Sequence, residues 1–100
     1  MKRISQPSLI QQYRSLKIYL PRDMILFILI GECYATYDDD ACVSAPIIGT
    51  ALWPSSIYPM CGFNRLGVDT VLAKFVRAGK SVALAERFDN EVFRVNRVFN

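Results

Sequence analysis

The chain has no histidine, only three cysteines in 100 residues, and no C-x-x-C pair. Without an imidazole to serve as base beside Cys33, Cys42 or Cys61, a cysteine–histidine nucleophilic centre is excluded. An odd number of cysteines without ligand spacing indicates neither a disulfide framework nor a structural zinc site. Reduced, mostly buried thiols are the expectation. Long apolar runs are also missing. The longest, MILFILI at 24–30, is far short of the roughly twenty residues that a membrane helix needs. Lys2 and Arg3 are followed by no continuous apolar segment, so the layout of a secretory signal is absent. The expectation is a cytoplasmic chain with no membrane partner. Charge of neither sign dominates: 12 Lys plus Arg stand against 9 Asp plus Glu, a formal +3. That balance permits nucleic-acid contact without demanding it.

What is present describes one folded domain over residues 1–100. At 52% apolar and 21% charged the composition is globular, and a chain of this size buries roughly two thirds of its unfolded surface, enough for one core. Ser8 and Gln11 have capping-box spacing, and Leu9, Tyr13, Leu16 and Leu20 recur at helical intervals before Pro21. MILFILI is apolar at every position, as a strand buried on both faces requires. Gly31 interrupts it, and CYATY reads as a second strand. Asp38, Asp39 and Asp40 then precede a short small-residue helix, ACVSA, ending at Pro46; three acids at its start complement the helix dipole. Two short strands are expected near TALW and YPMCGF, joined by a turn. Val68, Val71, Leu72, Phe75 and Val76 form the apolar face of a second long helix, with Gly79 at its C-terminal cap. SVALAE and EVFRVNRVF close the chain as strands around Asp89 and Asn90.

Several candidate chemistries can be weighed on these residues. RAGKS at 77–81 has the Gly-Lys-Ser of a phosphate loop. It has Lys74 where the earlier glycine belongs, and a helix before it rather than a strand, so a helix cap is the better reading. The three aspartates would need to converge to hold a metal for nuclease chemistry. As sequence neighbours at a helix start they splay around the axis. Basic residues are spread along the chain, at Arg14, Lys17, Lys74, Arg77, Arg94 and Arg97, and for each a solvated face is the default.

QQY with Lys17, GECYATYDDDA, YPMCGF, VLAKFVRAGKSVALAE and FRVNRV, in this order and at this spacing, resemble the N-terminal mismatch-binding domain of the MutS family of DNA repair proteins. The resemblance covers nearly the whole chain. It implies an α+β fold, a single domain with a mixed sheet flanked by helices, used for contact with double-stranded DNA and needing no cofactor or metal. The aspartates become a structural element at a helix start. In the family a Phe wedges into the base stack beside a mismatch and a Glu bonds the displaced base; those positions are Cys33 and Ala35 here. Residues two apart on a strand share a face, so both members of the pair are lost together. Neither side chain can offset the few kcal/mol that unstacking costs.

The resemblance therefore implies a non-catalytic, freestanding DNA-binding module without mismatch preference. Its candidate DNA-contacting residues are Cys33, Ala35, Arg65, Lys74 and Arg77. The alternative is a fold retained for binding a protein partner or for self-association as a homo-oligomer.

Overall fold

In the computed structural model, which describes residues 8–87 and 92–100, the first helix, α1 (Leu9–Lys17), begins where its capping signal stands. The Ser8 hydroxyl accepts from the Gln11 amide at 3.3 Å, and the Gln11 side chain accepts from the Ser8 amide at 2.9 Å. Two otherwise orphaned donors are satisfied in one exchange. The helix stops at Lys17, earlier than Pro21 alone would require. Tyr19 and Leu20 then donate to the Leu16 and Lys17 carbonyls in a tightened last turn.

Strand β1 (Ile25–Ile30) has neighbours on both sides, which accounts for its unbroken apolar sequence. It pairs antiparallel with β2 (Cys33–Tyr37) and parallel with β4 (Val82–Glu86). The β1–β2 connection is a two-residue turn in which Gly31 takes φ 61°, a conformation that costs glycine nothing. Two further antiparallel strands, β3 (Met60–Asn64) and β5 (Arg94–Phe99), complete a mixed sheet in the order β3-β2-β1-β4-β5. Alternation divides β1 between two cores. Leu26 and Ile28 pack with Ile10 and Tyr13 of α1 on one face, and Ile25 and Phe27 with Val71, Leu72 and Phe75 on the other. The expected turn at Asp89 and Asn90 lies outside the described residues.

Helix α2 (Asp38–Ile48) follows β2 directly, and Asp38 makes the bend at φ 58°, in the left-handed region that aspartate tolerates better than most residues. Pro46 does not end this helix, contrary to the sequence expectation. The ring removes only the amide that would have bonded back to exposed Cys42, and the helix runs on to Ile48 before Gly49 caps it at φ 87°. The strand expected at TALW is also not formed. Residues 50–53 are irregular, held where the Trp53 amide donates to the Met60 carbonyl at 2.8 Å; with Pro54 next, they do not extend into a strand.

Helix α3 (Val68–Arg77) is preceded by a 3₁₀ turn, Arg65–Gly67, and closes in a Schellman cap. Lys80 donates to the Phe75 carbonyl at 2.9 Å and Gly79, at φ 72°, to Val76 at 3.0 Å. Phe75 is fully buried and meets Phe27 edge-on with ring centroids 5.7 Å apart. Val76 is 55% exposed, which corrects its placement in the core. It lies about 100° around the helix from Phe75, beyond the arc that Val68, Leu72 and Phe75 present to the sheet.

Truncating Phe75 to alanine is expected to cost about 3 to 5 kcal/mol. Val76→Ala, on the exposed arc, should cost no more than roughly 0.5 kcal/mol. Urea denaturation of the two variants measures the difference, and equal losses would mean that the helix is misphased.

Candidate nucleic-acid interface

The β1–β2 hairpin positions the two residues at the recognition positions of the resemblance. Ile30 pairs with Cys33 and Ile28 with Ala35, while on the other side β3 sets Asn64 against Cys33 and Gly62 against Ala35. Strand partners share a face, so Cys33 and Ala35 lie on the face of Ile28, the α1 side of the sheet. Cys33 is half-buried. Ala35 is 0% exposed. Its methyl sits between two strands, and a loop residue closes over its partner Gly62: a Cβ at 62 would lie 2.4 Å from the Tyr34 carbonyl oxygen and 2.9 Å from Cζ2 of Trp53. Only glycine fits there.

Tyr34 points to the opposite face, as alternation requires. Its ring packs against Phe63 at 5.5 Å, and its hydroxyl donates to the Glu86 carboxylate at 2.8 Å. Burial, and then that bond, hold the phenol above its ordinary titration range.

Arg65 is exposed and adjoins the hairpin, its amide donating to the Glu32 carbonyl at 2.8 Å. Lys74 and Arg77 do not join it. They lie toward the far end of α3, a helix that rises about 14 Å from Val68 to Arg77. The Lys74 ammonium is bound to the Ile48 carbonyl at 2.9 Å, closing the C-terminus of α2, a good use of a cation at a helix end. Of the five candidates, the structure puts Cys33 and Ala35 on one face, sets the backbone of Arg65 beside the hairpin with its charge acting on Tyr34 of the opposite face, and places Lys74 and Arg77 toward the far end of α3.

Other basic residues serve the fold. Arg14 grips Asp38 through two bonds of 2.8 and 3.0 Å and lies over the Tyr58 ring. The Lys17 ammonium reaches the Asp40 carboxylate at 3.0 Å and the Met24 carbonyl. Arg97 lies over Phe99, 4.9 Å from the ring centroid. Arg65 and Arg77 have no hydrogen-bonded or ion-paired side-chain partner among the described residues.

The three aspartates diverge to different surroundings. Asp38 holds Arg14, and Asp39 is exposed. Asp40 is buried and accepts from the Tyr13 hydroxyl at 2.5 Å, from the Leu26 amide at 3.0 Å and from Lys17. Burial first, and then the bond to Asp40, push the Tyr13 phenol far upward. Burial likewise pushes the Cys61 thiol up to about 11, so at neutral pH it stays protonated and unreactive. No helix among the described residues is long and apolar enough to cross a membrane.

Two features escaped the sequence. Trp53, the chain's one tryptophan, ends the TALW segment expected as a strand and stands instead in the proline-punctuated loop. Asp40 looked like its neighbours, and only the tertiary fold separates its role from theirs.

The family MutS domain I matches residues 7–99. Among curated relatives, the DNA mismatch repair protein MutS of Desulfitobacterium hafniense is 39% identical over 87 residues, covering 82% of this chain and 10% of that protein. The protein of the same name from Porphyromonas gingivalis is 33% identical over 94 residues, covering 89% of this chain and 10% of its own. That of Treponema pallidum is 32% identical over 88 residues, covering 88% and 10%. The chain thus spans about a tenth of the length of the curated relatives it matches.

Substitutions at the aspartates should separate their roles. Asp40→Asn leaves Lys17 without its carboxylate and should cost about 3 kcal/mol, whereas Asp39→Asn should cost only the roughly 0.3 to 1 kcal/mol of a helix-end charge; chemical denaturation reads both. Tyr13 supplies a pH test. Its folded-state pKa lies above the ordinary 10.0, so its contribution is present below pH 10 and is lost as pH rises beyond it. Stability measured from pH 8 to 11 should fall at the alkaline end, and less steeply in Tyr13→Phe. An unchanged slope would contradict the assignment.

Proposed function

The chain belongs to the MutS domain I family, and from that premise we propose that residues 1–100 act as one non-catalytic module that contacts double-stranded DNA without preferring mismatches. The observation that carries this reading is the pair at the hairpin end. Cys33 is short and half-buried and Ala35 is wholly buried, so neither extends an apolar or aromatic side chain that could offset the few kcal/mol of unstacking. Affinity then comes from phosphate contacts, led by Arg65 and joined by Arg77, and such contacts make binding fall with salt. Lys74 contributes through the fold, by holding Ile48, rather than through DNA. The curated relatives are DNA mismatch repair proteins by name. The match covers about one tenth of their length, and the proposal concerns DNA contact by residues 1–100 alone.

A second reading, a protein-interaction or self-association module, is favoured by one observation. Leu66, beside Arg65, is 90% exposed, and an apolar side chain so placed suits an interface core.

The two readings part on salt. Fluorescence anisotropy of a labelled, fully paired duplex, titrated with the protein at low and moderate salt, should show binding that weakens with salt. Arg65→Ala should weaken all sequences alike and lower the slope of log affinity against log salt by about 1. Absence of binding at low salt would favour the protein-interaction reading. Replacing the lost pair is asymmetric: Cys33→Phe should be tolerated at a half-buried strand end. Ala35→Glu would place a carboxylate in a filled site without a partner and should cost at least about 3 kcal/mol. Equal thermal stability of the two variants would show that Ala35 is accessible after all.

A further inference from the structure

A bulge in β5 decides which way its arginines face. Arg97 is the strand partner of Leu84 but Val95 that of Ala85, so Asn96 stands opposite no residue of β4. On a regular strand Arg94 and Arg97, three residues apart, would lie on opposite faces. The extra residue puts both on the face of their partners, Glu86 and Leu84. That is the α3 face, where Leu84 packs with Leu72 and Phe75 and where the Tyr34 hydroxyl donates to Glu86 at 2.8 Å. Both arginines are exposed, whereas the Glu86 carboxylate is half-buried and engaged by Tyr34. The partners of the two arginines stand two residues apart on β4, about 7 Å at strand rise.

The other edge of the sheet adds a cation to the same face. Phe63 is the strand partner of Tyr34 and packs against its ring, and Arg65, two residues on, turns to that side. Burial and the bond to Glu86 hold the Tyr34 phenol high, while the charges of Arg65 and Arg97 draw it down. The two guanidiniums thus border one surface, from opposite sides of Tyr34. Arg97 is also pre-set for an anion: it lies over the Phe99 ring, 4.9 Å from the centroid, and a guanidinium stacked by its face keeps the N–H fork at its edge open to a phosphate. On the α1 face the cations are committed. Arg14 is tied to Asp38, Lys17 to Asp40, and Arg87 lies over Phe93 and donates to Gln12.

We propose that DNA is held on the α3 face of the sheet, opposite Cys33 and Ala35, with Arg97 and Arg65 taking phosphates on either side of Tyr34. This rests on the DNA-contact reading above and adds to it a face and a residue, Arg97. An acidic protein surface would also meet arginines. The spacing of Arg94 and Arg97, close to that of successive phosphates on one strand, favours nucleic acid.

Fluorescein-labelled paired duplex is titrated with the protein at several salt concentrations while anisotropy is followed, and unlabelled duplex is titrated into the protein while indole emission is followed. Trp53 is the chain's one tryptophan, and its ring lies on the α1 face, over Gly62, the strand partner of Ala35. Its emission should stay unchanged at saturation. Arg97→Ala should lower the slope of log affinity against log salt by about 1, and the double variant Arg65→Ala with Arg97→Ala by about 2. Arg22→Ala, at the other end of β1, should leave the slope as it is. Quenched emission, an Arg97→Ala slope equal to that of the parent, or an equal fall for Arg22→Ala would overturn the α3-face assignment and leave DNA contact itself standing. Absence of any anisotropy change with the parent chain would overturn both. If circular dichroism shows Arg97→Ala unfolded, the slope of Arg97→Gln, which removes the charge and keeps a long side chain beside Phe99, decides the matter.

Discussion

The carboxylate of Asp40 is the contact on which the arrangement depends. It stands one residue past the triplet's exposed member, yet it is buried, and three donors from two elements of the chain converge on it. These are the Tyr13 hydroxyl and Lys17 ammonium of α1 and the Leu26 amide of β1. The pairing of β1 with β2 runs only from Ile30–Cys33 to Ile28–Ala35 before the chain turns into α2. The Leu26 amide would otherwise lack a partner on that side, and a buried unpaired donor costs about 1 to 3 kcal/mol. Asp40 fills the vacancy and neutralises Lys17, whose ammonium also takes the Met24 carbonyl. One side chain thereby locks the α1 layer, the sheet and the start of α2 into a single register.

This hub and the hairpin lie at opposite ends of β1. Leu26 and Ile30 are four residues apart, about 13 Å along a strand. Position 33, at the half-buried end of β2, can therefore change without touching this hub, whereas position 35 is closed in by its neighbours. That separation lets an architecture persist while the residue at the hairpin end varies.

Much of the architecture was legible because local and tertiary demands agree. MILFILI can be apolar throughout only as a central strand, and β1 is one. The Ser8–Gln11 exchange and the Gly79 cap are local signals, and both stand where the sequence set them. Where several elements compete, the sequence reading was weaker. Val76 extended an apolar pattern past the arc that the sheet accepts. Pro46 looked like a stop, although a proline whose lost bond leads to an exposed carbonyl can sit within a last turn. At the site, strand alternation put Cys33 and Ala35 on one face but could not tell that this face is closed at Ala35. Closure comes from Trp53, which approaches from a loop with no periodicity. Lys74 reads from the sequence as a candidate DNA contact, and nothing local shows that its ammonium closes the end of α2.

The account's central claim is that this MutS domain I chain contacts DNA without a mismatch wedge. The most direct measurement compares its affinity for a fully paired duplex with that for the same duplex carrying one mismatch, by competition in a single salt. The account predicts equal affinities within about a factor of two. A stacked aromatic contributes roughly 1 to 3 kcal/mol per base, so a working wedge would favour the mismatch by five-fold or more. A preference of that size in the unmodified chain would contradict the account.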